Sequence, residues 1–141
     1  MRIFVDANVI VSVLNKEYPL FTWSSRLLSL QGKRNIQLFT SPLCLAIALY
    51  FCSKKCGETM ARTKIGLLCE QIGITSIDDK ITRLAINNKL VHDFEDGMEY
   101  YSAIQHNCEC IVTENSNDFY FGKIEVIGCE AFLLKLKNGK N

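Results

Sequence analysis

The sequence predicts an α/β fold, a mainly parallel sheet with helices on both faces. Three observations lead there. Short apolar runs of strand length alternate with helical stretches from one end of the chain to the other. A length of 141 residues, with no internal repeat, low-complexity tract or Pro-, Gly- or Ser-rich linker, predicts a single unit over residues 1–141. Hydrophobic and charged fractions of 48% and 22% are those of a chain that fills a core and does not stay disordered.

Arg2 to Asp6 reads as a short buried strand ending in an acid, and Asn8 to Leu14 is apolar enough to turn directly into a helix. Pro19 suits the first turn of a helix that runs through Phe21, Leu27 and Leu30 to a stop at Gln31-Gly32. Ile36 to Thr40 is a second strand, followed by Ser41-Pro42. From Pro42 to Cys56 the pattern is apolar almost all round, which predicts a helix packed in the interior or at a dimer interface, ended by Gly57. Glu58 to Gln71 is a more amphipathic helix, and Ile74 to Ser76 a short strand. Asp78 caps the next helix, which breaks at Asn87-Asn88, and Asp93 starts another that runs to about His106. Cys110 to Thr113 is a strand, Asn115 to Asp118 a loop, Ile124 to Ile127 a last strand and Cys129 to Leu136 a last helix.

Sixteen Lys and Arg against fifteen Asp and Glu give a formal charge of +1, so nothing draws the chain as a whole to nucleic acid or anionic lipid. Any RNA contact must be local; Lys54, Lys55, Arg62, Lys64 and Arg83 are candidates for a track, with solvated surface charge as the plainer reading. The longest uninterrupted apolar run, Leu43–Cys52, is about half of what a membrane-spanning helix needs. The opening MRIFVDANVIV carries Asp6 inside its apolar stretch and no small-residue cleavage site after it, so no secretory signal is expected and the mature chain is expected to start at Met1. Seven cysteines, an odd number and mostly within apolar segments, fit a reducing cytoplasm. Cys52 with Cys56, and Cys108 with Cys110, can share a face, but neither pair has zinc-knuckle spacing, and His92 and His106 add none.

The chemistry lies with the acids. Ligands of parallel sheets gather beyond the carboxyl ends of the strands. Asp6 ends the first strand, Asp93, Glu95 and Asp96 open a helix, and Asp118 follows the strand ending at Thr113. Gathered carboxylates repel one another and lose hydration, and a divalent cation is the economical reason to collect them. The plain readings are also open: Asp6 and Asp93 as helix caps, Asp96 as a first-turn acid favoured by the helix dipole, Asp118 and Asn115 as turn residues, and Asn8 and Thr113 as partners of backbone amides.

Three segments, FVDANVIVSVL, DFEDGMEYYSAI and CIVTENSNDF, together resemble the PIN-domain ribonucleases, in particular the toxin components of bacterial toxin–antitoxin pairs, in the same order over nearly the whole chain. The resemblance implies a three-layer α/β/α sandwich, Mg²⁺ or Mn²⁺ in an acidic pocket, hydrolysis of RNA, a small antitoxin protein as partner, and a homodimer. It implies Asp6, Asp96 and Asp118 as the metal-site acids and Asn8, Thr113 and Asn115 as supporting polar positions, with Asp93 and Glu95 as neighbours that can substitute. The chain departs from the family on the helix SPLCLAIALY: a Glu common there is absent, its position falling at about Ile47. Glu114 stands where a basic residue is common, and Gly97 where Ala is usual at a helix-packing position.

Three functions follow as candidates. The first is a metal-dependent endoribonuclease, the toxin of a toxin–antitoxin pair. The second is a PIN-fold protein with impaired catalysis that binds RNA or protein, a reading kept open by the missing Glu. The third is a structural α/β domain whose acids only cap helices.

Overall fold

Strand β1 (Arg2–Val5) is built from Ile3, Phe4 and Val5, none of which retains any solvent exposure. A strand covered on both faces must be apolar at every position, which is why the run shows no alternation. In the computed structural model, which describes residues 1–139, β1 is the middle of a five-stranded parallel sheet of order β3-β2-β1-β4-β5. The other strands are β2 (Gln37–Thr40), β3 (Gly73–Ile74), β4 (Cys110–Val112) and β5 (Glu125–Ile127). Phe4 stands in register with Phe39 of β2 and Ile111 of β4.

Every strand pair is parallel, so each connection crosses over the sheet. Helices α1 (Ala7–Leu14), α2 (Phe21–Leu28), α3 (Pro42–Cys56), α4 (Glu58–Gln71) and α7 (Cys129–Asn138) form one connected layer, through the pairs α1·α2, α1·α3, α3·α4 and α2·α7. Helices α5 (Asp79–Asn87) and α6 (Phe94–Gln105) pack on each other. Right-handed crossovers put these two on the opposite face, because the chain moves outward from β1 to β3 and then doubles back to β4. The sandwich expected from the sequence is present. Its strand order reverses between β1 and β4, the place where such sheets open a crevice at their carboxyl ends.

Local signals set most helix ends. Ser41 accepts a hydrogen bond from Cys44 N (3.0 Å) ahead of Pro42, Asp78 accepts one from Ile81 N (3.0 Å), and Asp93 accepts one from Glu95 N (2.9 Å). Gly57 separates α3 from α4 at φ +85°, a left-handed value that a side chain would strain. Gly97 lets α6 approach α5: a Cβ there would lie 3.1 Å from the Ala85 Cβ and 2.8 Å from Val91 Cγ1.

The structure corrects four expectations. Helix α3 is not interior: Cys44, Ala48 and Cys52, spaced four apart, are its only buried residues, while Tyr50 and Phe51 are exposed. A helix lying on one face of a sheet buries one stripe, whatever the hydrophobicity of the rest. The second helix begins after Pro19, at Phe21, and stops at Leu28; the chain then turns through Arg34 and Asn35, both at positive φ. Strand β3 is shifted to Gly73–Ile74, where Gly73 sits against the Phe39 ring, and Thr75 has already left the ladder although its amide still reaches Thr40 O (2.8 Å). The stretch expected to be a loop holds a short 3-10 helix, Ser116–Phe119. No helix among the described residues is long and apolar enough to cross a membrane.

Candidate functional site

Asp6 is the first residue past β1, and the fold fixes it from three sides. Its amide donates to Val112 O of β4 (3.0 Å), Oδ1 accepts from Ala7 N (2.6 Å), and Oδ2 accepts from Thr113 Oγ1 (2.7 Å). Asp6 is thus the N-cap of α1, as the plain reading held, and its carboxylate also faces the crevice. The Thr113 hydroxyl is fully used, since it donates to Asp6 and accepts from Asn8 Nδ2 (3.0 Å) and Asn115 N (3.1 Å). Asn8 Oδ1 in turn accepts from Glu114 N (3.3 Å). These bonds tie the start of α1 to the loop after β4, so Asn8, Thr113 and Asn115 act together on the orientation of Asp6.

Above them opens a groove of about 410 Å³. Asp6, Asn8, Asp93, Glu95, Asp96, Asn115 and Asp118 line it, and Thr113 lies beneath as their shared partner. The acidic candidates from the sequence and their supporting polar residues are therefore at one place. Two further carboxylates join them, Glu17 from the turn after α1 and Glu99 from α6. Seven of the chain's fifteen acids line this one groove, and among the described residues no Lys or Arg does.

Such crowding shows in the acidities. Burial first, and then the charges of Asp93 and Asp118, raise the Asp96 carboxyl to about 7. Glu95 is raised by burial and by Asp93. Glu99 is pushed furthest, to about 10, by burial and then by the neighbouring Asp6. Glu99 is 1% exposed, and its Oε2 has no hydrogen-bond partner among the described residues. One donor atom each of Asp6, Cys44 and Glu99 lies within 4.8 Å of the other two. The set is rich in hard oxygen donors and poor in counter-charge, which fits a divalent cation and fits an anionic ligand badly.

Sequence reasoning missed Glu99, although a signal was present. Glu99 stands three residues after Asp96 and four before Ala103, on the stripe of α6 that is buried. Glu17 carries no comparable signal. The departure expected at Ile47 is real in space, for the Ile47 side chain lines the same groove. Glu114 accepts from Cys129 N (2.9 Å), so it serves the first turn of α7. The basic residues considered for an RNA track do not enter the groove. Arg62 pairs with Glu58 and Arg83 with Asp79 on exposed helix faces, while Lys55 and Lys64 donate to the carbonyls of Asn15 and Leu14 at the end of α1. Tyr100, on α6, is core, its hydroxyl accepting from Lys123 N (2.8 Å).

A family profile described as PIN domain matches residues 2–117. Among curated proteins, the chain is 26% identical over 135 residues to the ribonuclease VapC1 of Aquifex aeolicus (strain VF5), covering 93% of this chain and 92% of that protein. Among solved structures, VapBC-1 from nontypeable Haemophilus influenzae is similar with a TM-score of 0.71 at 18% identity, covering 92% of this chain and 99% of its own. Mycobacterium tuberculosis VapC20, a sarcin-ricin loop cleaving toxin, gives 0.70 at 15% identity over 88% and 98% of the two chains. Rickettsia felis VapBC2, solved bound to a DNA fragment from its promoter, gives 0.67 at 19% identity over 90% and 97%.

Proposed function

The chain belongs to the PIN domain family, and on that premise we propose that it is a divalent-metal-dependent endoribonuclease, the toxin of a toxin–antitoxin pair, acting as one unit over residues 1–141. The observation that carries this reading is the convergence of seven carboxylates, with no basic residue beside them among the described residues, at the carboxyl ends of β1 and β4. An RNA phosphate entering that groove alone would be repelled. Mg²⁺ or Mn²⁺ bound there supplies the charge that activates a water and offsets the negative charge growing on the phosphate.

In this reading Asp6, Asp96 and Asp118 hold the cation. Asp6 is presented by its bonds to Ala7 N and Thr113 Oγ1, which leave its carboxylate no freedom to turn away. Asn8, Thr113 and Asn115 keep that presentation, and Asp93 and Glu95 line the groove beside it. The partner is a small antitoxin protein, by analogy with relatives solved as VapBC complexes. The exposed apolar side chains of Tyr50 and Phe51 on α3, with Met60 and Leu67 on α4, offer a surface for that protein or for a second copy in a homodimer. The compartment is the cytoplasm, where RNA is present and the chain's seven cysteines stay reduced.

A second reading, a PIN fold with impaired catalysis that binds RNA or protein, is favoured by one observation: Ile47 lines the groove where the family commonly has Glu. Induced expression in a bacterial host separates the two when growth and newly formed RNA 5′ ends are followed together. The nuclease reading expects growth arrest with discrete new ends, both abolished by Asp96→Asn. Arrest that persists in Asp96→Asn without new ends would establish binding instead.

A further inference from the structure

The acid absent from α3 has a counterpart on another helix. Ile47 of α3 and Glu99 of α6 line the same groove, and the two helices touch. Glu99 is 1% exposed, yet its Oε2 has no partner among the described residues. A buried carboxyl oxygen left without a hydrogen bond is costly, and chains seldom keep one without a use for it. Its surroundings supply the use. A donor atom of Glu99 lies within 4.8 Å of one on Asp6. An ion with metal–oxygen bonds of about 2.1 Å joins two oxygens up to roughly 4.2 Å apart, so a small side-chain adjustment brings both within reach of one cation. Cys44, the third member of the cluster, is turned to Asp6 Oδ1 at 3.8 Å and offers only a soft sulfur donor, which a hard cation such as Mg²⁺ or Mn²⁺ disfavours against carboxylate oxygen. Glu99 is thus the second carboxylate at the buried end of the groove.

We propose that Glu99 takes the place of the acid missing at Ile47, as a ligand of the divalent cation delivered from α6 instead of α3. This rests on the metal-dependent reading above and adds to it a residue that lies within the segment DFEDGMEYYSAI but is not among the site positions the resemblance implies. It also explains how the site tolerates an isoleucine at position 47: the carboxylate absent from α3 is supplied to the same groove from α6. The competing role is structural, with Glu99 as a neutral acid that only donates a hydrogen bond to Asp6. Glutamine separates the two, since it is neutral, nearly the same size and able to donate that bond, but a much weaker ligand than a carboxylate.

The test is Mn²⁺ binding to the purified full chain, with no RNA present, read from the electron paramagnetic resonance signal of the free ion. Four proteins are compared: wild type, Asp6→Asn, Glu99→Gln and the double variant Ile47→Glu/Glu99→Gln. Near-UV circular dichroism checks the fold of each. The proposal expects wild type to bind, Asp6→Asn and Glu99→Gln each to lose at least about tenfold in affinity, and the double variant to regain most of the Glu99→Gln loss. If Glu99→Gln does not fold, Glu99→Asp decides: the shortened acid should weaken Mn²⁺ binding while the fold persists, and unchanged affinity would overturn the proposal. Glu99→Gln binding as wild type does while Asp6→Asn has lost the ion would overturn the role of Glu99 and leave the metal-dependent reading standing. No binding by wild type would overturn both.

Discussion

Replacing Glu99 by Gln should make the metal-free protein more stable at neutral pH, and by an amount that depends on pH in a defined way. Burial and Asp6 raise Glu99 from 4.5 to about 10, so the folded chain holds this proton throughout the range in which the unfolded chain has released it. For an acid whose acidity is weakened in the fold, the stability is whole below the unfolded value and is lost as pH rises towards the folded one. The loss is about 1.4 kcal/mol per pH unit, hence about 4 kcal/mol by pH 7.5. Gln does not titrate, and its amide, set in the same buried place, forgoes about 1–2 kcal/mol in imperfect hydrogen bonding. The net expectation is that Glu99→Gln gains about 2–3 kcal/mol at pH 7.5 and is neutral or slightly destabilised near pH 5. Urea unfolding in EDTA at pH 5, 6, 7 and 8 measures it. Parallel stability–pH curves for the two proteins would refute the reasoning, because they would mean that Glu99 is already ionised in the metal-free fold.

Other consequences follow from the same contacts. Thr113→Val removes the hydroxyl that serves Asp6, Asn8 and Asn115 together, and should cost about 1–3 kcal/mol in chemical denaturation while weakening Mn²⁺ binding in calorimetry. Gly97→Val puts branched carbon where a Cβ alone meets Val91 at 2.8 Å and Ala85 at 3.1 Å, and should lower stability by about 1–3 kcal/mol in the same assay. Mn²⁺ affinity should rise with pH, because the cation competes with the proton on Asp96, whose acidity lies at about 7. Isothermal titration at pH 6 and 7 should differ by about fivefold if only the Asp96 proton is displaced and by about fiftyfold if Glu99 gives up its proton to the ion as well. A flat profile would show that neither acid is among the ligands.

Much of the fold was legible because its punctuation is local. Ser41-Pro42 and Gly57 bracket α3, and Asp78 and Asp93 cap α5 and α6, each through a backbone bond the structure contains. Asp6 stood out because an acid after three wholly buried apolar residues has few packing roles. What was not legible depends on tertiary placement. The apolar pattern of α3 says that it prefers contact, but not whether the contact is within this chain or with another molecule. Glu99 was overlooked because glutamate is rarely buried, so residue type argued for solvent while helical position argued for the interior. Position was the better guide. Glu17 reaches the groove only through the path of the turn after α1, which no periodicity encodes.

The most direct test of the central claim is RNA cleavage by the purified protein with the metal removed and returned. Total bacterial RNA incubated with wild type should stay intact in EDTA, be cut at discrete positions once Mn²⁺ is restored, and stay intact with Asp6→Asn under either condition. Cleavage that proceeds equally in EDTA, or equally with Asp6→Asn, would contradict the assignment of this acidic groove as a metal-dependent nuclease site.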